Sequence, residues 1–267
     1  MTSLDRMLAV PGCRLAYADL PGPETPVVFL HGAGADHRMF AAQAAALSEA
    51  GHRCVLTDLR GHGASRPCST PVTAPALLGD VRTLLDRLGL HGAVLAGLSL
   101  GGNIAQALVR EAPGRYSGLV AMSCTWNTGP LTRLERLSLR LAAPVLATVP
   151  QRRLPRLLAR ASAATAAARA DAERTFAAMP KRAFVEVWRA TAGFVVPDPG
   201  YRTPVPLLLI RGARDRTGNI ATAMPAWAAF EGVPERPVAG AGHLVCQDAP
   251  DEVCARLLAF LGALPRR

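Results

Sequence analysis

The chain has no long apolar run. Its longest aliphatic stretch, 205–210, is broken by Pro206, well short of the roughly 20 residues that a membrane-spanning helix needs. The stretch 7–10 is too short for the apolar region of a secretory leader, and Asp5 precedes it, so the sequence reads as cytoplasmic, with no membrane partner. Lysine is nearly missing: of thirty basic residues only Lys181 is lysine, the rest being arginine, and the net charge is +10. Such a charge invites a nucleic-acid reading, but aromatics make up only 5% of the chain and none interleave with a basic run, so no nucleic-acid partner is expected. Cysteine pairs with metal or redox spacing are absent as well. The six cysteines, at 13, 54, 68, 124, 246 and 254, include no CxxC, and there is no HExxH. A disulfide framework and a metal site are therefore not expected, and the thiols read as reduced.

What the chain does have is core-forming material. Half of its 267 residues are hydrophobic, enough for a single α/β domain with an insertion. Short apolar runs at 26–30, 53–57, 93–98 and 119–123 read as buried strands. Between them, 39–50, the leucines from Leu77 to Leu88, and 101–110 read as helices. That alternation predicts βαβ units and a mostly parallel sheet flanked by helices. Residues 126–203 break the rhythm with helical stretches only, before strand character returns at 207–210 and, more weakly, at 235–239; a last helix is expected over 252–264. The predicted organisation is a core of 1–125 and 204–267 interrupted by a helical cap of 126–203, where a lid would sit.

The chemistry concentrates after the third of these strands. Gly97-Leu98-Ser99-Leu100-Gly101 follows a strand and opens a helix, the context in which a serine is held on a tight turn for nucleophilic attack. The helix N-terminus there offers unpaired N–H groups to a developing oxyanion. A serine needs a base, and His243, in the small-residue loop Gly240-Ala241-Gly242-His243, is the candidate. The acid that orients it is read as Asp215, five residues past the strand at 207–210, whereas Asp248 and Asp251 are read as the start of the last helix. The order Ser, Asp, His is that of a hydrolase triad on an open α/β sheet. Ala33, in the loop His31-Gly32-Ala33-Gly34, and Leu100 are the expected oxyanion donors through their amides. His31, and the cluster Asp58, Arg60 and His62, read as loop-pinning groups.

The stretches LHGAGAD (30–36), DLRGHGAS (58–65), GLSLGGNIAQAL (97–108), IRGARD (210–215) and AGHLVCQDAP (241–250) resemble the α/β-hydrolase superfamily, over about residues 26–125 and 204–262. The elbow and its helix are most similar to the group of 3-oxoadipate enol-lactonases, related carboxylesterases and cofactor-free perhydrolases. A serine at position 99 sets the chain apart from the branches that use aspartate or cysteine as nucleophile.

The resemblance implies two-step acyl transfer without a cofactor, on a small-molecule ester or lactone. Thioester release, C–C bond hydrolysis or acyl transfer with the same triad, or a non-catalytic ligand receptor on the same fold, are the other readings. Residues 126–203 hold thirteen basic and five acidic side chains, a net of +8. That charge fits an anionic or carrier-bound substrate, or an arginine-biased genome with no functional meaning. Trp126, Phe184 and Trp188 are the candidates to line a substrate pocket between cap and sheet.

Overall fold

A computed structural model describes residues 3–265. Seven strands form one sheet in the order β1-β2-β4-β3-β5-β6-β7. In chain order the elements are β1 (Arg6–Val10), β2 (Cys13–Leu20), β3 (Glu24–Leu30), α1 (Ala41–Glu49), β4 (His52–Thr57), α2 (Ala74–Arg87), β5 (Ala93–Leu98), α3 (Leu100–Glu111) and β6 (Tyr116–Met122). Then come α4 (Arg133–Thr148), α5 (Leu154–Ser162), α6 (Ala166–Ala177), α7 (Lys181–Ala192), β7 (Leu207–Ile210), α8 (Ile220–Glu231), α9 (Val245–Asp248) and α10 (Pro250–Gly262).

Strands β4, β3, β5, β6 and β7 run parallel, with Val28 opposite both Val55 and Leu95, and Val120 opposite Leu208. All six residues of β5 are buried, as expected of a parallel strand covered on both faces. Helix α2 starts on Thr73, whose side chain accepts from the Ala76 amide, and buries Leu77, Val81, Leu84 and Leu85 against the sheet. Full burial of each such side chain contributes about 1.5–3 kcal/mol.

Three features depart from what the sequence predicts. The antiparallel hairpin β1–β2, with Val10 paired to Cys13, precedes the first expected strand; it turns at Pro11-Gly12, where Gly12 has φ +70°. The weak strand expected at 235–239 is a single parallel bridge between Val238 and Gly212. Pro234 and Pro237 remove the backbone donors that a longer ladder would use. The helix expected from residue 39 is shared between a 3-10 turn at His37–Phe40 and α1. Cys13 and Cys68 are free thiols whose sulfurs lie 2.6 Å apart, both directed at the Ser65 carbonyl. No described helix is long and apolar enough to cross a membrane.

Candidate active site

Ser99 occupies the step from β5 into α3 with φ 53° and ψ −116°, a strained conformation for a residue with a Cβ. The sequence allows the turn because its neighbours are small. A Cβ on Gly97 would overlap the Gly101 backbone, and one on Gly101 would overlap the Leu30 carbonyl. The Ser99 amide donates to Met122 O at 2.9 Å, and Ser99 O accepts from the Asn103 amide at 2.9 Å, so the strained residue is gripped from both sides.

Asp215 lies beyond β7, in a loop whose Arg214 amide donates to Ala241 O at 2.8 Å. The Val238–Gly212 bridge thus brings the loop of Asp215 beside the loop of His243. The His243 ring nitrogen Nδ1 donates to Asp215 Oδ2 at 3.0 Å, and the Thr217 amide donates to Asp215 Oδ1 at 2.9 Å. Both side chains are buried. Burial would raise the Asp215 pKa, but electrostatic attraction to the adjoining His243 ring and the hydrogen bonds from that ring and the Thr217 amide hold it below the usual carboxylate range. Ser99, Asp215 and His243 all follow the carboxyl ends of the parallel elements, the edge where open α/β sheets bind ligands.

Among the described residues, neither the Ala33 nor the Leu100 amide has a protein acceptor. The loop carrying Ala33 is held by two neutral histidines. His31 Nδ1 donates to Gly32 O and its Nε2 accepts from the Leu59 amide; His62 Nδ1 donates to Arg60 O and its Nε2 accepts from the Gly34 amide. Burial, reinforced by His31, pushes the His62 pKa down to about 3. Asp58 accepts from the amide and Nδ1 of His37 and from the Ala64 amide. Burial opposes its ionisation, but these donors outweigh burial and bring it to about 2. Arg60 forms a two-pronged, buried pair with Asp80 at 2.6 and 2.7 Å. The histidines and Asp58 clasp the loops after β3 and β4 together, and the Arg60–Asp80 pair ties the second loop to α2.

The ligand atoms of Asp36, His37 and Asp58 lie within 4.8 Å of one another. They are engaged internally: Arg38 caps Asp36 at 2.6 Å and His37 caps Asp58 at 2.8 Å, so the cluster holds itself without an ion.

Ala33 and Ser99 line a cavity of about 320 Å³ between the sheet edge and helices α4 and α7. Its wall is mostly apolar, including Leu131, Leu134, Leu139, Ala142 and Ile220, and carries one charged side chain, Glu135. Trp188 lines it. Trp126 does not; it stacks flat on Trp227 with ring centres 6.3 Å apart. Phe184 packs edge-on against Phe176 at 6.0 Å, under Gly34. A larger cavity, about 460 Å³, lies among α2, α3 and α8 and does not include Ser99.

Several lining residues had no signal in the sequence reading. Asn103, one helical turn after Ser99, donates to Thr125 O and Asn127 Oδ1 at 3.1 and 2.6 Å. Glu135 accepts from Asn219 Nδ2 at 2.9 Å across 84 residues and closes a capping box with Thr132. The hydrogen bonds from Thr132 and Asn219 keep its pKa below the ordinary glutamate value. Asp251 stands in the first turn of α10 as expected, whereas Asp248 ends the short helix α9. The Asp248 carboxylate accepts from the amides of Ala164, Thr165 and Gly242, tying the α5–α6 connection to the His243 loop.

The fold and this edge define a class, and comparison with known proteins agrees with it. Residues 27–256 match the alpha/beta hydrolase family. The chain belongs to that family. A hydrolase from Pseudomonas aeruginosa PA01 superposes with a TM-score of 0.81 at 26% identity, covering 97% of this chain and 98% of that one. The enol-lactonase from Burkholderia xenovorans LB400 gives 0.79 at 26% identity, over 96% of this chain and 100% of that one. Among curated relatives, the sn-1-specific diacylglycerol lipase ABHD11 of Danio rerio is 36% identical over 105 residues, 39% of this chain and 33% of that protein. The putative non-heme bromoperoxidase BpoC of Mycobacterium tuberculosis is 36% identical over 110 residues, 41% of each. The matched stretches thus span less than half the length of these curated relatives.

Proposed function

We propose that the protein is a serine hydrolase that cleaves a carboxylic ester or lactone through an acyl-enzyme on Ser99. The observation that carries this reading is the buried hydrogen bond from His243 Nδ1 to Asp215 Oδ2, in a chain whose Ser99 is held at positive φ on the wall of an apolar cavity. An ionised Asp215 keeps the proton on Nδ1, which leaves Nε2 to act as base. Ser99 Oγ attacks the carbonyl, its proton passes to Nε2, and the tetrahedral oxyanion is received by the Ala33 and Leu100 amides. His243 returns the proton to the leaving oxygen, and water repeats the sequence to free Ser99. No cofactor enters the reaction. Residues 126–203 act as the cap, with 1–125 and 204–267 as core.

The cavity wall supports an uncharged, apolar acyl group. It offers no cationic side chain and one carboxylate, Glu135, so the excess arginine of 126–203 does not serve to bind an anionic acyl chain inside the site. Relatives described as an enol-lactonase and as a diacylglycerol lipase are in keeping with ester and lactone chemistry.

A fluorophosphonate probe and a short-chain p-nitrophenyl ester test the reading. The probe should label the peptide containing Ser99, and Ser99→Ala should lower kcat by about 10⁴-fold or more with an unchanged melting temperature. Retention of a tenth of the activity in Ser99→Ala, or labelling elsewhere, would overturn it.

A further inference from the structure

Helix α4 turns an apolar face to solvent. Leu134, Leu137, Leu141 and Val145 are 71, 52, 47 and 59% exposed. Their spacing of three and four residues places them in one stripe, while Ala143, on the opposite side, is buried. Arg133, Arg136 and Arg140, all exposed, form a second row. At about 100° per residue the three arginines fall within about 60° of one another, beside Leu137. On the other flank of the stripe come Ser138, Glu135, Leu139 and Ala142, which line the cavity of Ser99, as does Leu134 itself. The apolar stripe is therefore continuous with the wall of the site.

Exposed contiguous apolar surface of this kind marks an interaction. We propose that α4 lies on an anionic lipid surface, with Leu137, Leu141 and Val145 in the acyl boundary, the arginine row at the headgroups, and the cavity mouth toward the lipid. An amphipathic helix with arginines beside its apolar face binds in this way without spanning the bilayer.

Charge selects the partner. A second copy would bring another chain of net charge +10 and another arginine row against the first. An acidic protein would satisfy the arginines but gives no reason for four exposed aliphatic side chains next to the cavity. A lipid surface supplies anions and hydrocarbon together, and an apolar ester could pass from it into the site without crossing water. That last step rests on the ester-hydrolase reading; the docking itself does not.

Vesicle flotation with the full chain tests the docking. The protein should float with vesicles of phosphatidylcholine and phosphatidylglycerol at low salt and stay behind with phosphatidylcholine alone. Arg133→Gln with Arg136→Gln and Arg140→Gln should weaken partitioning about a hundredfold. Leu137→Ser with Leu141→Ser should weaken it about tenfold or more. Neither set belongs to the cavity wall, so hydrolysis of a soluble short-chain ester should be unchanged, and wild-type melting temperatures would show that the variants fold. Ser99→Ala should bind vesicles like wild type, which separates a failure of docking from a failure of the hydrolase assignment. No flotation with anionic vesicles would overturn the proposal. So would full binding by the leucine variant, since plain charge adsorption or an acidic protein would then suffice. A concentration-dependent dimer abolished by the leucine substitutions would assign the face to a second copy instead.

Discussion

His243 Nδ1 and Asp215 Oδ2 meet at 3.0 Å although 28 residues separate them, because the Val238–Gly212 bridge lays their two loops side by side. Asp248, only five residues after His243, goes to backbone amides instead. The two aspartates therefore predict opposite phenotypes. Asp215→Asn should lower kcat about 10³–10⁴-fold by admitting the wrong histidine tautomer, with little loss of stability. Asp248→Asn should keep activity within about tenfold yet lose about 0.5–1.5 kcal/mol of stability, as one acceptor oxygen is removed from a set of partly exposed donors. Esterase rates and denaturant midpoints for both variants check this, and a reversed pattern would reassign the acid.

Much of the fold and of the candidate site was legible because it is written locally. The unbroken apolar run of β5 and the glycines around Ser99 state their conformation within a few residues. The hairpin β1–β2 escaped because β1 is short and largely exposed, and Arg14 and Asp19 flank the apolar residues of β2, so neither strand shows the longer apolar run of the parallel strands. The three aromatics separate for a reason that spacing cannot show. Trp188 reaches the cavity, while Trp126 and Phe184 find other rings to pack on, and all are equally apolar in sequence. Glu135 and Asn219 meet only through the packing of α4 on the Asp215 loop, which no local pattern announces.

Glu135 should act as a charge filter. It is the one charged side chain on the cavity wall and is held ionised by Thr132 and Asn219. Glu135→Gln keeps an oxygen to accept from Asn219 and removes the charge. The kcat/KM for an ester whose acyl chain ends in a carboxylate should rise about three- to tenfold relative to a neutral ester of equal length. The difference should shrink as salt is added. An unchanged ratio of the two substrates would show that the carboxylate does not face the bound acyl group.

Cys13 and Cys68 should be the pair joined by a low-molecular-weight disulfide added in excess. Their sulfurs converge on the Ser65 carbonyl, and Cys68 is the more exposed of the two. Cys68 would take one half of the reagent and release one thiol. Cys13 would then displace the other half, so that two protein thiols are oxidised and one reagent disulfide is reduced to two thiols. Burial and its neighbour Cys68 push the Cys13 pKa up to about 12, which makes the second step slow. Peptide mapping after alkylation should find residues 13 and 68 linked, with Cys54, Cys124 and Cys246 still alkylatable only after unfolding, since all three are buried. A stable mixed disulfide at Cys68 with no internal link would count against the pairing.

Acid should destabilise the protein in two overlapping stages. His62 has a folded-state pKa of about 3, against 6.5 for an ordinary histidine, because burial and the neighbouring His31 disfavour its charged form by more than the acceptor Arg60 O favours it. Between those two values the unfolded chain binds a proton that the folded chain refuses, so stability falls as pH falls, by about 1.4 kcal/mol per pH unit for that one group. His31, lowered in the same direction by burial, adds to the slope. Asp58, held at about 2 against 3.8, contributes stability that is present above its unfolded pKa and is lost as pH drops toward its folded value. The loss should thus begin near pH 6.5 with the histidines and steepen near pH 4 with the carboxylate. Replacing His62 with glutamine removes the titrating ring but keeps an amide that can reach one of the two partners. His62→Gln should be less stable than wild type at about pH 7.5, yet lose less on going to about pH 5. Urea midpoints across that range give both quantities, and parallel curves for the two proteins would mean that His62 is not the buried neutral group that the hydrogen bonds to Arg60 and Gly34 require.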